Sequence, residues 1–169
     1  MNIKQLIDDI LRREGGFVDH EDDRGGATNY GITQDTLARR RGHPVSVEDV
    51  RNLTRSEAIE IYAALYVLEP NFDKIKHDDL AALVVDCGVN HGTARAARWL
   101  QAAANVTVDG IVGPVTLAAV NSQDGKALYR AVLAERCRFY GQLITRDTSQ
   151  AAFAAGWANR VAEFIEKTP

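Results

Sequence analysis

Apolar residues recur at every third or fourth position over most of this 169-residue chain. That spacing is the period of an α-helix with one buried face. The first example is Ile3, Leu6, Ile7, Ile10 and Leu11, with Asn2 as the predicted N-cap. Because 46% of the residues are hydrophobic and 25% are charged, such helices can bury a core within one domain or one domain of two lobes.

Glycine, proline and capping residues divide this pattern into segments. Residues 17–33, after Gly15-Gly16, lack the helical period and predict a strand or hairpin that turns at Arg24-Gly25-Gly26. A short helix is predicted from Thr33 to Arg41. The capping box Thr54-Arg55-Ser56-Glu57 predicts the start of a second helix, over 57–68. Further helices are predicted over 78–87 and 93–104, from Gly113-Pro114 onward, and over 124–145 and 150–167.

The order of these segments predicts an α+β fold that is mostly α-helical, with one small N-terminal β-hairpin or irregular element. No long linker, low-complexity segment or internal repeat interrupts it. We expect an N-terminal lobe over residues 1–88 and a helical lobe over 89–169, packed as one compact unit.

Charge and cysteine content exclude several classes of protein. The formal net charge of −3 argues against a general nucleic-acid binder. Cys87 and Cys137 form no C-x-x-C unit and lie among apolar helical residues, so we expect two buried free thiols. The basic run Arg39-Arg40-Arg41 suits the negative end of a helix. The N-terminal stretch carries acids within its apolar pattern and matches neither a signal peptide nor a membrane span.

No metal or cofactor motif fits the polar segment after Gly16. Asp19, Glu21 and Asp23 imitate the first ligands of a calcium loop, but Arg24 stands where the loop needs glycine and Tyr30 where it needs glutamate. No Gly-Lys-Ser/Thr unit follows to make a phosphate loop. The histidines, at 20, 43, 77 and 91, form no zinc motif. The sequence therefore predicts neither a metal nor a cofactor.

Glu14 is the strongest candidate for a catalytic acid. It continues the helical face of Ile3, Ile7 and Ile10 and falls in the last turn of the predicted helix. Partial burial and the negative helix end both disfavour a carboxylate, so both should raise the pKa of Glu14. A carboxyl that keeps its proton can protonate a glycosidic oxygen. The alternative is a surface glutamate at a frayed helix end.

A glycosidase also needs a second carboxylate or a positioned water across the sugar. By spacing, Asp23 and Thr28 are the best placed, since the acid could stabilise positive charge on the sugar ring and the hydroxyl could hold water. Asn29, Tyr30 and Gly31 then offer an amide, an aromatic ring and exposed backbone, which suit an N-acetylated sugar. The alternative for the neighbouring acids is a solvated turn.

Five segments carry a resemblance to one family. The pattern E-G-G-F-V-x-x-x-x-D-x-G-G-A-T-N-Y-G-I-T (14–33) resembles the signature of glycoside hydrolase family 108, N-acetylmuramidases found largely as phage or prophage endolysins. The other segments similar to that family are LTRSEAIEIYAALY (53–66), DCGVNHGTARAARWLQ (86–101), VDGIVGPVTLAAV (108–120) and FAAGWANRV (153–161). The fourth of these five segments resembles its peptidoglycan-binding region.

The resemblance implies a lysozyme-like fold and a role for each matching residue. Glu14 matches the family's catalytic glutamate, and Asp23 and Thr28 resemble the acid and threonine that follow it in phage-type lysozymes. Tyr66 stands where the family often has a Tyr-Trp pair that could stack on sugar. Asp109 falls in the peptidoglycan-binding resemblance and is expected to contact the wall; the alternative is that Asp109-Gly110 and Gly113-Pro114 form a turn that any helix–loop–helix could use.

Further polar and aromatic residues have two interpretations each. Asn90 could bind an N-acetyl or hydroxyl group, or cap a helix before Gly92. Asp86 could bond backbone near the site or pair with an arginine, and the structural role is favoured. Trp99 and Trp157 are expected to be core residues rather than sugar platforms.

The implied activity is hydrolysis of the β-1,4 bond between N-acetylmuramic acid and N-acetylglucosamine, which lyses bacterial walls. The expected partner is bacterial peptidoglycan, with no nucleic acid, no stable membrane insertion and a monomeric state. The protein is expected to be made in the cytoplasm of the bacterial host and to act on the cell wall from the periplasm. The alternatives are a lytic transglycosylase and a non-catalytic wall-binding or scaffolding module of lysozyme-like shape.

Overall fold

The computed structural model describes residues 3–19 and 26–167, and for Ile3, Lys4, Arg13 and Glu14 it describes the backbone only. Within these ranges the chain is mostly helical with one small antiparallel sheet, which confirms the predicted α+β class. The predicted N-cap Asn2 and the turn residues Arg24 and Gly25 lie outside the described residues. The fold comprises two compact units, one containing Lys4–Leu65 and the other Tyr66–Pro169.

The first unit contains four helices and the sheet among its described residues. The elements are α1 (Ile3–Glu14), β1 (Thr28–Asn29), β2 (Ile32–Thr33), α2 (Gln34–Arg41), α3 (Val47–Arg51) and α4 (Arg55–Ala63). The apolar stripe of α1 forms part of the core, since Leu6, Ile7, Ile10 and Leu11 are each no more than 3% exposed. Gly15 follows α1 in a left-handed conformation, with φ of 79°, as predicted for a glycine that stops a helix.

The sheet is a hairpin of two two-residue strands, with a turn that the sequence analysis did not predict. Thr28 pairs with Thr33 and Asn29 with Ile32, so Tyr30 and Gly31 form the turn, with φ values of 52° and 72°. Two left-handed central residues match the right-handed twist of the flanking strands. The turn predicted at Arg24-Gly25-Gly26 falls almost wholly outside the described residues and stays a prediction.

Helix ends follow the capping residues, with one correction. The Thr33 hydroxyl accepts a hydrogen bond from the Thr36 amide at the start of α2, and Gly42 ends that helix in a left-handed conformation, as predicted. The predicted capping box at Thr54 is only half formed, because Thr54 caps the Glu57 amide while the Glu57 carboxylate accepts hydrogen bonds from Nε and Nη2 of Arg41. A complete capping box forms instead between Ser46 and Asp49.

The second unit contains five α-helices among its described residues. These are α5 (Asp78–His91), α6 (Thr93–Ala103), α7 (Pro114–Ser122), α8 (Gly125–Arg146) and α9 (Ala154–Glu166). Short 3₁₀ helices cover Phe72–Lys74 and Thr148–Phe153. The buried face of α5 is nearly continuous from Leu80 to Gly88, and α5 packs against both α6 and α8.

Several predicted boundaries in this part of the chain are wrong by up to four residues. The helix predicted over 57–68 begins at Arg55 and changes to a π-helix over Ala64–Leu68. The helix predicted to end at Cys87 continues to His91, and the last predicted helix opens with the 3₁₀ turns at 148–153. Both thiols are free, and Cys87 is buried as expected, but Cys137 is exposed, which corrects the expectation of two buried thiols.

Candidate functional site

The chain returns on itself directly after Glu14. Glu14 is the last residue of α1, and four residues later Val18 pairs with Thr28 through two backbone hydrogen bonds of 2.8 Å. Thr28 pairs on its other side with Thr33. The end of the candidate acid helix is therefore connected by a short segment to a backbone ladder of three short extended pieces.

Thr28 is the central member of that ladder. Both its amide and its carbonyl bond to Val18, so its pair with Thr33 is of the non-hydrogen-bonded kind, in which side chains lie closest. The Thr28 side chain is half-buried. Asp23, its proposed partner, lies outside the described residues.

Asn29 fixes the hairpin to α3. Its side chain is buried, and its amide nitrogen donates to the carbonyl oxygens of Val50 at 3.1 Å and Arg51 at 3.0 Å. These carbonyls belong to the last turn of α3, where intrahelical donors run out, and the Val50 carbonyl also accepts from the Leu53 amide at 3.2 Å. Both amide hydrogens of Asn29 are thereby used within the protein, and a sugar contact by this residue stays a prediction.

The hairpin turn is held from the other side by α4. The Tyr62 hydroxyl donates to the Tyr30 carbonyl oxygen at 3.0 Å. Arg51, at the end of α3, places its guanidinium carbon 4.1 Å from the centroid of the Phe17 ring, a cation–π distance. The turn residues Tyr30 and Gly31 are thus presented by a hairpin that is anchored to two helices.

Ion pairs join the helices that carry the hairpin. Arg41 of α2 bonds both carboxylate oxygens of Glu57 at 2.9 Å and lies 3.3 Å from Asp49. The Arg41 hydrogen bond is the main reason why the pKa of Glu57 is lowered. The pKa of Asp49 is lowered chiefly by hydrogen bonds from Ser46. The basic run 39–41 thus ends on a residue that connects three helices.

The second unit contains the other three candidate sugar contacts. Tyr66 is half-buried within the π-helix, a rare element that is frequent at functional sites. Asn90 is exposed and lies inside α5, where its side-chain amide donates to the Asp86 carbonyl at 2.7 Å. It is therefore not a helix cap, since α5 continues to His91 and Gly92 is its C-cap. Asp109 lies in the loop between α6 and α7.

A buried ionic network lies directly beneath the Asn90 segment. Asp86 is fully buried, and its Oδ2 accepts from Nη1 of the equally buried Arg136 at 2.7 Å. Arg160 of α9 donates to the other oxygen of the same carboxylate. The alternative in which Asp86 pairs with an arginine is thus the observed one. One carboxylate joins α5, α8 and α9.

His91 extends the network toward the surface in a neutral form. Nε of Arg136 donates to the Tyr140 hydroxyl at 3.0 Å, and that hydroxyl lies 3.1 Å from Nε2 of His91. Burial, followed by repulsion from Arg136 and Arg95, lowers the pKa of His91 to about 4. A neutral imidazole can accept the Tyr140 proton at Nε2, so the chain of donors runs from arginine to tyrosine to histidine.

Asp109 is held by a residue that the sequence analysis did not single out. The buried Gln101 donates to Oδ1 of Asp109 at 2.7 Å, and the Ile111 amide donates to the same oxygen at 2.8 Å. The Gln101 hydrogen bond is the largest cause of the lowered pKa of Asp109. A glutamine between Leu100 and Ala102 gives no sequence signal of this role, because its importance depends on the loop that folds over it.

Two models of known protein families match this sequence. The family model described as Glycosyl hydrolase 108 matches residues 7–92, just over half of the chain. The chain belongs to the glycosyl hydrolase 108 family. A second family model, described as Predicted Peptidoglycan domain, matches residues 95–162 of this glycosyl hydrolase 108 protein. The resemblance stated from the sequence motifs is therefore confirmed, and the function is of the peptidoglycan-hydrolase type.

A solved structure supports the same relationship. The glycosyl hydrolase 108 chain is 31% identical to SagA of Brucella abortus, with a TM-score of 0.79 over 98% of this chain and 92% of that one. No curated protein sequence matches it. The two family models meet between residues 92 and 95, whereas the two compact units of the fold divide between residues 65 and 66.

Two kinds of site are absent from the part of this glycosyl hydrolase 108 chain that the structure describes. Across residues 3–19 and 26–167, no three His, Cys, Asp or Glu side chains are grouped so that they could hold a metal ion. None of the helices described there is both long enough and apolar enough to cross a membrane.

Trp99 is buried as predicted, and Trp157 is half-buried and stacks on Tyr140 with ring centroids 4.7 Å apart.

Proposed function

We propose that this protein hydrolyses the β-1,4 bond between N-acetylmuramic acid and N-acetylglucosamine, with Glu14 as the general acid. The observation that carries the proposal is the position of Glu14 at the last residue of α1, inside the family match and four residues before the Val18–Thr28 pairing. Position 14 continues the helical face of Ile7 and Ile10, which are 3% exposed. As the general acid, the Glu14 carboxyl would have to hold its proton until the glycosidic bond breaks.

The chemistry needs a proton and a water molecule. Glu14 gives its proton to the glycosidic oxygen as the bond from that oxygen to C1 of the muramic acid breaks. Water then adds to C1, and its proton passes to a carboxylate, which leaves a new reducing end. We assign the steadying of the positively charged sugar ring to Asp23 and the positioning of water to Thr28, whose half-buried side chain lies on the central piece of the ladder.

The remaining candidate residues are assigned to sugar and wall contacts. The anchored turn Tyr30-Gly31 would offer a ring and backbone to an N-acetyl group, and Asn29 would act mainly by holding that turn in place. Exposed Asn90 and half-buried Tyr66 would contact further sugars. Asp109 would contact the wall through the peptidoglycan-associated segment.

We propose the biological setting of an endolysin. Residues 1–88 would act as the muramidase lobe and 89–169 as the peptidoglycan-binding lobe of a monomer. The protein would be made in the host cytoplasm and reach the wall after release through a membrane pore. Neither nucleic acid nor stable membrane insertion is part of this proposal.

The test is product analysis on purified peptidoglycan sacculi with wild type and the variant Glu14→Gln. Wild type should release reducing ends of N-acetylmuramic acid, and Glu14→Gln should fold with an unchanged circular dichroism spectrum but lose at least roughly 100-fold in rate. The matched control is Glu166→Gln, which changes a glutamate that also ends a helix and should keep full activity. Asp23→Asn and Thr28→Ala should each lower the rate.

Three other results would contradict the proposal. Anhydro ends without added water, found by mass spectrometry of the products, would identify a lytic transglycosylase. Binding to sacculi without any product would identify a non-catalytic module. Full activity in Glu14→Gln would remove the assignment of the acid.

A further inference from the structure

The loop between α6 and α7, residues 104–113, is held rigidly by one buried side chain. Gln101 is 1% exposed, and its amide nitrogen donates to Asp109 and, at 3.0 Å, to the Ile111 carbonyl. Its carbonyl oxygen accepts from the Gly110 amide at 2.8 Å. One residue of α6 therefore fixes three consecutive positions of loop backbone and side chain.

Two further contacts fix the same loop. Gly110 has φ of 85°, and a Cβ at that position would lie 3.2 Å from the Ala94 carbonyl oxygen, so only glycine fits. The carbonyl of Val112 accepts from the Asn71 side chain at 2.9 Å, and the Val112 side chain is buried. The conformation of the loop is thus set before anything binds, which lowers the entropy cost of binding.

This rigid loop leads into a short segment with exposed apolar side chains. Val108, Ile111 and Val115 are 50%, 70% and 75% exposed. They account for three of the eight large exposed hydrophobic residues in the described part of the chain, within eight consecutive positions. A protein gains nothing for its own stability from displaying aliphatic side chains on a fixed loop, and such concentrations mark binding surfaces.

A cation lies against the same loop. The guanidinium carbon of Arg98 is 3.2 Å from the position that a Cβ on Gly110 would occupy, and Arg98 is exposed. The segment matched by the peptidoglycan family model contains eight Lys or Arg against four Asp or Glu, and two of the eight, Arg136 and Arg160, pair with Asp86. The loop and α6 together therefore present aliphatic contact area and the positive charge of Arg98, beside the exposed carboxylate of Asp109.

Peptidoglycan has two chemically different parts. Its glycan strands present hydroxyl and N-acetyl groups, which aromatic rings and side-chain amides recognise, and residues 108–115 contain neither. Its short peptide stems present methyl groups and free carboxylates. We propose that the surface formed by Val108, Ile111, Val115 and Arg98, here called the loop surface, binds the peptide stems of peptidoglycan. The methyl groups would lie on the aliphatic side chains and a carboxylate would pair with Arg98.

This inference deepens the proposed action on peptidoglycan, and its experiment separates the two. The full-length protein is mixed at 4 °C with intact sacculi and with glycan strands whose stems have been removed by an amidase. Bound protein and released reducing ends are measured in the same samples. Wild type should bind intact sacculi at least about tenfold more tightly than stripped strands.

Two variants test the loop surface and two exposed sites serve as matched controls. Ile111→Ser with Val115→Ser should weaken binding to intact sacculi by about tenfold and leave stripped strands unaffected. The control Ile165→Ser changes an isoleucine that is 57% exposed on α9 and should bind as wild type. Arg98→Gln should abolish any preference for a free stem peptide over the same peptide with its carboxylates amidated. The control Arg130→Gln, on the exposed side of α8, should keep it.

The outcomes are distinct. The proposal that the loop surface binds peptide stems would be refuted by equal binding of wild type to stripped and intact strands. It would also be refuted if the double serine variant kept its melting temperature and bound intact sacculi as wild type does. Stem-dependent binding without reducing ends would support it while refuting the proposed hydrolysis. Release of reducing ends without stem-dependent binding would support the proposed hydrolysis and refute stem binding by the loop surface.

Discussion

Removing the charge of Asp86 should be among the most damaging single changes in this fold. The Asp86 carboxylate is the shared acceptor for Arg136 and Arg160, and both Asp86 and Arg136 are fully buried. In Asp86→Asn the side chain keeps its shape, but Arg136 stays buried without a counter-charge. Within the described part of the chain, Nη2 of Arg136 has no hydrogen-bond partner, so few other contacts could compensate for the lost charge.

The expected magnitude follows from this burial. Breaking a buried ion pair by neutralising one partner costs about 3–5 kcal/mol, because the remaining charge is desolvated. For a chain of this length each kcal/mol corresponds to roughly 2–4 °C in melting temperature, so the melting temperature of Asp86→Asn should be lower by roughly 10 °C. The control Asp35→Asn breaks an exposed pair with Arg39, whose side chains are 82% and 73% exposed, and should cost less than about 0.5 kcal/mol.

The assay is urea unfolding at pH 7 and low salt, followed by circular dichroism for wild type and both variants. Equal slopes with a lower midpoint for Asp86→Asn would give the difference directly. A loss of under about 1 kcal/mol in Asp86→Asn, or losses of equal size in both variants, would refute the argument that burial makes this network different from surface pairs.

Three further changes give stability predictions, each measured by the same urea assay. Asn29→Ala should cost about 1–3 kcal/mol, since the Arg51 carbonyl loses its side-chain donor and the Val50 carbonyl is left with the Leu53 amide; an unchanged midpoint would contradict this. Gly125→Ala should destabilise despite its better helix propensity, because the new Cβ would lie 2.5 Å from Cγ of His77; a more stable variant would show that His77 moves freely. Glu57→Gln should lose about 1 kcal/mol at pH 7. Because Arg41 lowers the pKa of Glu57, this stability is present above the unfolded pKa of about 4.5 and lost as pH falls through the folded value, so the two proteins should converge at acid pH; a gap that persists at pH 3 would contradict it.

Much of the helical architecture was predictable because its signals are local. The apolar stripe of α1, the Thr33 cap, the Gly42 stop and proline at the first position of α7 each act within one or two turns of chain. Such features depend on the side-chain spacing and the backbone preferences of adjacent residues. The end of α1 at Glu14 was predicted for the same reason, since Gly15 stops the helix.

The missed features depend on residues far apart in the sequence. Glu57 had the spacing of a capping-box partner, but Arg41, 16 positions earlier, takes its carboxylate. The turn at Tyr30 is supported by Tyr62, 32 positions later. An ion pair or a hydrogen bond of this kind is decided by which helices pack together, and a local pattern carries no information about that.

The same division holds for the candidate site. The sequence by itself determined that Glu14 ends an amphipathic helix before two glycines, and that a polar hairpin segment follows. Only the tertiary structure decided that the Asn29 amide donates to carbonyls of α3, that the Asp86 carboxylate accepts from two arginines, and that Gln101 holds the loop that carries the loop surface. Local backbone preference fixes where a helix ends, whereas the use of a buried polar side chain depends on which distant partner arrives to satisfy it.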